Sequence, residues 1–394
     1  MLPSGWRYRH TALVVCTLAY FATRVEPVVV GPLVPDIAAA LEGSQLAIGT
    51  AMTGFWAAYA LVQLPSGLLA GRLGERRVAL VALAAAAFGS LALALSPTMI
   101  AFAIVAALLG GGVGLYYNVG VFLLSDEFEG TGRAIGIHRL GSQAAGLVVP
   151  VLAVAVGARY GWRVALGLGF VAALPTAGLV ALSLRSRRPA EPPTVREQFD
   201  LSTAADLLAR PAMRTGTVLA GVGEFVAVAN LTFLPTVLVS VHGLDRAVAG
   251  VAFSFYFLVV SLTHPVSGWF ADRTSPQAAV TIAMAAGVLG HALLVAAPST
   301  VFAIAAVGLA GLSMGYNAPL QSGLIASLDR ADRGGGFGLF RTGYVLVGSL
   351  GAAVVGGIAD LAGWPVAYGV NAGLFGLGLA VLAVAATGDR DGFV

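Results

Sequence analysis

Ionisable side chains stand inside long apolar stretches at a few positions of this chain. Arg24 and Glu26 share a run near the N-terminus, and Arg139 sits beside His138 in a later one. Glu224, His264, His291 and Arg341 lie in runs of the second half. Inside a bilayer such a group costs about 2.5–3.5 kcal/mol or more, so each is a candidate for function. An arginine guanidinium binds carboxylate or phosphate through two parallel hydrogen bonds, so the symmetric pair Arg139 and Arg341 points to an anion clamp, with Arg24 as a further substrate or counter-ion group. A carboxyl can load and release a proton as its exposure changes, which makes Glu26 and Glu224 candidate proton carriers. Static salt bridges across helices are the other reading of both carboxylates. Arg24 and Glu26 are two positions apart and face apart on a straight helix, so they are not expected to pair.

Arg139 and Arg341 are each about 9 Å from the end of their run, at 1.5 Å per residue from Arg133 or Gly335. They therefore either contact a solute or tie down an inner gate. Gln143, one turn beyond Arg139, and Tyr344, close to Arg341, favour a polar cavity. Tyr116, Tyr117, Asn118, Tyr316 and Asn317 offer further hydrogen bonds to a ligand, with helix–helix bonding as the alternative. Phe55, Trp56, Tyr59, Phe253, Phe255, Tyr256 and Phe257 read as packing or lipid-facing groups, and His264 and His291 as core histidines.

The elements that position these residues follow from composition. Apolar residues are 58% of the 394 and charged residues 10%, against about 25% charged in a soluble domain. The fold class is an all-α membrane protein. Twelve runs reach the length of roughly 20 residues that a spanning helix needs. They cover 11–33, 45–70, 77–95, 99–124, 133–157, 162–184, 212–240, 247–270, 277–296, 300–326, 334–359 and 365–386. Alternating strands of about 10 residues are missing, which excludes a barrel. The 52 glycines, many inside the runs, allow close helix contact in lipid.

All 22 basic residues are arginine. One set of loops holds Arg7, Arg9, Arg72, Arg76, Arg77, Arg133, Arg185, Arg187, Arg188, Arg196, Arg210, Arg214, Arg273, Arg330, Arg333 and Arg390, and the other only Arg159, Arg163 and Arg246. This asymmetry predicts a cell-membrane protein with both termini cytoplasmic. Scattered in short loops, the arginines make no nucleic-acid patch. Cys16 is the one cysteine, so a disulfide within the chain and a cysteine metal site are excluded. The N-terminal run lacks a small-x-small cleavage site and reads as an uncleaved span. Trp6, Trp162 and Trp364 read as interface anchors.

Residues 185–211 form the one long polar connection, with Pro189, Pro192, Pro193 and Pro211. Its Thr203–Asp206 stretch resembles a capping box, which allows a short interfacial helix. The predicted organisation is a six-helix bundle over 1–184, a cytoplasmic linker over 185–211 and a second bundle over 212–394. The two bundles repeat one another. Ser66-Gly67, Arg72, Gly89 and Pro97 recur as Ser267-Gly268, Arg273, Gly290 and Pro298, 201 residues on. Gly136, Arg139, Gly141, Gly146 and Gly161-Trp162 recur as Gly338, Arg341, Gly343, Gly348 and Gly363-Trp364, 202 on. Parallel repeats of this kind predict a pseudo-twofold axis along the membrane normal and a midplane site opened to each side in turn.

The loop Gly67-Leu-Leu-Ala-Gly-Arg72-Leu-Gly74-Glu-Arg76-Arg77 resembles the loop motif of the major facilitator superfamily. Gly268-Trp-Phe-Ala-Asp272-Arg273 is its weaker repeat. Pro32-Leu-Val-Pro35-Asp36-Ile37 and Gly161-Trp162-Arg163 are similar to that family too, and the likeness covers essentially the whole chain. It implies twelve helices, rocker-switch transport, a cytoplasmic gate at Gly67, Arg72, Gly74, Arg76, Arg77, Gly268, Asp272 and Arg273, and a monomer. The chain departs from the pattern at Gly71, where the family has an Asp, and at Ala106-Ala107, where it has an Arg. The fifth-span motif of drug/proton antiporters lacks its Gly-Pro pair.

The expected function is a secondary active transporter that moves a small organic anion, such as a carboxylate, coupled to H+. A proton-coupled drug exporter is the alternative, since Glu26 and Glu224 suit lipophilic cations and Gly132–Arg139 resembles drug-resistance members. No Walker-type Gly-Lys-Ser and no lysine exist, which disfavours an ATP-driven pump. The five histidines are scattered and form no enzyme site. No cofactor is expected; the partners are the solute, the coupling ion and the lipid bilayer.

Overall fold

The computed structural model describes residues 7–128, 131–186, 210–326 and 335–387. Among them, twelve helices are long and apolar enough to cross a membrane. The first six are α1 (Tyr8–Ala40), α2 (Gln45–Leu73), α3 (Glu75–Ala94), α4 (Met99–Glu127), α5 (Thr131–Tyr160) and α6 (Trp162–Ser183). The second six are α7 (Pro211–Ser240), α8 (Arg246–Arg273), α9 (Pro276–Ala296), α10 (Thr300–Ile325), α11 (Gly335–Ala362) and α12 (Trp364–Thr387). Helices are what lipid demands, because each satisfies its own backbone polar groups. Helix α1 runs past the expected end at residue 33: it continues through Pro35 and Asp36 and stays helical to Ala40. The capping box at Thr203–Asp206 lies outside the described residues.

The chain divides into two compact units. The first holds residues 1–42 and 54–194, the second residues 43–53 and 195–394. In the first unit α1 packs most extensively on α5, and α3 on α6. In the second unit α7 packs most on α11, and α9 packs on α12 as well as on α10, which repeats the first unit's pairs six helices later. Small residues make these crossings. A Cβ on Gly141 of α5 would collide with the Thr17 carbonyl of α1, and one on Gly351 of α11 with the Phe225 carbonyl of α7. Hydrophobic drive between helices is absent in lipid, so close contact supplies the attraction.

The repeated Gly-Trp pairs turn one helix into the next. Gly161 has φ +86° and Gly363 φ +83°, in the left-handed region that glycine enters without strain. Trp162 and Trp364 then start α6 and α12.

The first turns of α2 belong to the second unit. The Asp360 carboxylate on α11 accepts from the backbone N–H of Gln45 at 3.0 Å and of Leu46 at 2.8 Å, capping that helix end. Two turns on, the Thr53 hydroxyl donates to the Ser349 carbonyl at 2.6 Å and accepts from the Ala353 N–H at 3.2 Å.

Candidate functional site

In the first unit two arginines lie against a ledge of tyrosines. Arg24 on α1 donates to the Tyr20 hydroxyl at 3.0 Å and to the Tyr59 hydroxyl of α2 at 2.5 Å. Its guanidinium lies 5.1 Å from the Tyr20 ring, 5.6 Å from Trp56 and 4.8 Å from Tyr59, within cation–π range. Arg139 on α5 is exposed and donates to the Tyr117 hydroxyl of α4 at 3.1 Å. The Tyr20 and Tyr117 rings are 5.4 Å apart, so one aromatic ledge links the two arginines. Tyr20 also stacks on His138, with ring centres at 4.7 Å. Neither ring nitrogen of this buried histidine has a hydrogen-bond partner. The arrangement holds two fixed cations among hydroxyls, which is the chemistry of anion recognition.

The other residues of this unit are placed differently. Asn118 is committed to α2: its amide donates to the Gln63 carbonyl at 2.7 Å and to the Ser66 hydroxyl at 3.1 Å. Gln143 is half-buried on α5. Glu26 turns away from Arg24 and is only 2% exposed. Its carboxylate packs against Gly169 of α6, where a Cβ would collide with it, and Ser90 of α3 adjoins the same spot. Both of its oxygens are buried without a hydrogen-bond partner. Helix α6 breaks there, at Gly167. The Ser90 hydroxyl spans the break, donating to the Leu166 carbonyl at 3.0 Å and accepting from the Phe170 N–H at 2.9 Å.

In the second unit a cavity of about 190 Å³ is lined by Glu224, Tyr256, Phe257, His264, Tyr316 and Asn317. Helices α7, α8 and α10 supply these residues. Gly348 on α11 lies against the Glu224 side chain, and Gly223 leaves room for the Tyr316 ring. Tyr316 sits in a 3-10 turn, Met314–Tyr316, that interrupts α10. Gln321 ties α10 to α11, donating to Asn317 at 2.8 Å and to the Tyr344 hydroxyl at 3.3 Å. Arg341 is half-buried on α11, one turn before Tyr344. Behind the cavity, Tyr256 shares a hydrogen bond with the Asn230 side chain, which in turn meets His291 at 3.1 Å.

The loop motifs end on exposed Arg72, Asp272 and Arg273. Arg76 donates to the Ala181 carbonyl of α6, and Arg273 lies 4.1 Å over the Trp269 ring. Sequence reasoning left out Tyr20, Tyr59 and Trp56 as site residues, although Tyr20 stands one helical turn from Arg24. Tyr256 and His264, expected as packing or core groups, both line the cavity.

Fold and site together describe a polytopic helical membrane transporter. The model of the Major Facilitator Superfamily matches residues 13–329 and 215–392, and the chain belongs to that superfamily. Its fold is similar to a bacterial homologue of the human lysosomal transporter Spinster, in an inward-facing and occupied conformation. The TM-score is 0.83 at 15% identity, covering 99% of both chains. A nucleoside transporter, NupG, aligns with TM-score 0.79 at 15% identity over 96% of this chain and 99% of that one. A D-xylose–proton symporter aligns with TM-score 0.77 at 16% identity over 96% and 97%. No curated protein sequence matches the chain significantly.

Proposed function

We propose that the chain is a secondary active transporter of a small organic anion, a carboxylate, that works by alternating access coupled to H+. The observation that carries this reading is the pair Arg24 and Arg139 on one tyrosine ledge. Guanidinium groups seated against tyrosine hydroxyls are pre-set in geometry, which lowers the cost of binding. Tyr117 bonds Arg139, and Gln143 stands one turn beyond Arg139 on α5. Arg341, Tyr316 and Asn317 are the residues of the second unit assigned to the solute, and Asn118 acts by holding α4 to α2.

Glu224 and Glu26 are the proposed proton carriers, Glu224 from the cavity and Glu26 from inside its bundle. A proton symporter among the similar folds supports H+ as the coupling ion. The arginine asymmetry supports a cell-membrane protein with cytoplasmic termini. The chain acts as a monomer without cofactor or enzymatic step. Residues Gly67 to Arg77 and Gly268 to Arg273 form its cytoplasmic gate.

A second reading rests on the second unit. Glu224 beside Tyr256, Phe257 and Tyr316 is an aromatic pocket with one carboxylate, which suits a lipophilic cation and drug export.

Ligand-induced thermal stabilisation of the purified protein separates the two. A ligand of the folded state stabilises it by RT ln(1 + [L]/Kd). Stabilisation by carboxylates that disappears in Arg24→Gln and Arg139→Gln supports the anion reading. Carboxylate binding that survives both substitutions sinks it. Stabilisation by lipophilic cations that disappears in Glu224→Gln moves the assignment to drug export.

A further inference from the structure

Outside the solute site, a groove of about 240 Å³ opens on the second unit between α8, α9 and α10. Its lining includes Val266, Trp269, Phe270, Ile282, Ala286 and Leu312. Val266 is 61% exposed, Trp269 55% and Ile282 58%. In a spanning bundle, outward apolar side chains at this density face hydrocarbon. The groove offers a polar solute almost nothing. Its Ser267 hydroxyl is already donated to the His264 carbonyl at 3.1 Å.

One end of the groove is charged. Trp269 stands one turn before the end of α8 at Arg273, and the exposed Arg273 guanidinium lies 4.1 Å over its ring. A cation is thus held at the mouth of an apolar slot, at the end of a spanning helix. The residue 201 positions before Trp269 is Leu68, and it is buried.

We propose that this groove is a binding site for an anionic phospholipid, with an acyl chain along Val266, Trp269 and Ile282 and the phosphate-bearing headgroup on Arg273. Apolar length and terminal charge together match one amphiphile, and a guanidinium pairs with a phosphate through two hydrogen bonds. Such a lipid stiffens α8 against α9 and makes the protein sensitive to bilayer charge, whatever solute it carries. A tryptophan that merely anchors the helix at the interface has no headgroup preference.

Bromine on an acyl chain quenches nearby tryptophan fluorescence, so Trp269 reports occupancy. The Trp269 signal is the difference between the wild type and Trp269→Phe, each reconstituted in unbrominated phosphatidylcholine. Brominated phosphatidylglycerol or brominated phosphatidylcholine is then titrated in. The proposal expects half-quenching at a several-fold lower mole fraction of the glycerol lipid. It also expects Arg273→Gln to move that curve onto the choline one, and Arg273→Lys to keep the preference. Coincident curves in the wild type overturn the proposal. So does a preference that persists undiminished in Arg273→Gln.

Discussion

Helices α1 and α7 carry opposite charges at matching positions along their own lengths. Counted back from the capping residues Leu41 and Val241, Arg24 and Glu224 each stand 17 positions earlier (41 − 24 and 241 − 224). Arg24 lies among Tyr20, Trp56 and Tyr59, and Glu224 among Tyr256, Phe257 and Tyr316. The repeat thus fixes a position along the helix and an aromatic surround, and a single substitution sets the sign. The contrast continues inside each bundle. Ser90 of α3 and His291 of α9 are 201 apart, and Gly169 of α6 and Asn371 of α12 are 202 apart. In the first unit this interior holds the Glu26 carboxylate; in the second it holds Asn230 bonded to His291. Duplicated scaffolds can therefore diverge in charge without diverging in packing.

The largest expected effect breaks that contrast at Arg24. A hydrogen bond to a charged group contributes about 1.5–3 kcal/mol, so Arg24→Gln should weaken carboxylate binding by about ten- to a hundredfold. Glu224→Gln should leave carboxylate binding unchanged and abolish uphill transport driven by a pH gradient. Titration calorimetry and a liposome flux assay read the two arms separately. Equal loss of carboxylate binding in both variants would erase the division of labour between the units. Next come the shared crossings. Gly141→Ala and Gly351→Ala each push a methyl into a backbone carbonyl, and overpacking of this kind costs about 1–3 kcal/mol. Gly343→Ala meets nothing within 4 Å and serves as the control. Thermal unfolding in detergent should rank the first two well below the third.

The sequence makes the helices legible because lipid leaves few choices. Run length and apolarity place all twelve spans, and Gly161-Trp162 with Gly363-Trp364 marks two of the turns. Three things escape such a reading. Helix ends such as residues 34–40 stay helical past Pro35 and Asp36, where a proline and a charge read as the end of a span. The breaks at Gly167 in α6 and at Met314–Tyr316 in α10 carry no proline and look like ordinary span. Side-chain direction is the third. Arg24 and Glu26 stand out on chemistry, but their environments depend on which helices flank α1. Tyr59 reads as a packing residue because a tyrosine ring packs while its hydroxyl bonds, and spacing alone does not separate the two.

A smaller effect tests how the paired helix starts differ. Helix α8 is capped by its own Asp245, which accepts from the Ala247 N–H at 2.8 Å. Ser44, the matching residue before α2, accepts from the Ala47 N–H at 3.2 Å. Asp360 then adds two more acceptors to α2. Losing a cap costs about 1 kcal/mol, so Asp360→Ala and Asp245→Ala should lower the unfolding midpoint by similar, modest amounts. A much larger loss in Asp360→Ala would mean that the α2 tip is held to α11 by more than its cap.

The smallest effect lies in the two bundle interiors. Side-chain hydrogen bonds between spanning helices are worth about 0.6 kcal/mol on average. Ser90→Ala removes a donor to Leu166 and an acceptor for Phe170 at the break in α6. His291→Leu removes the partner of Asn230. Each variant should unfold slightly earlier and transport at a near wild-type rate if these interiors are scaffold alone. Because Ser90 adjoins the Glu26 carboxylate, it carries the sharper test. If Ser90→Ala changes the pH dependence of uphill flux while His291→Leu does not, the interior of the first unit belongs to the coupling machinery. The asymmetry seen at Arg24 and Glu224 would then extend to the proton route as well.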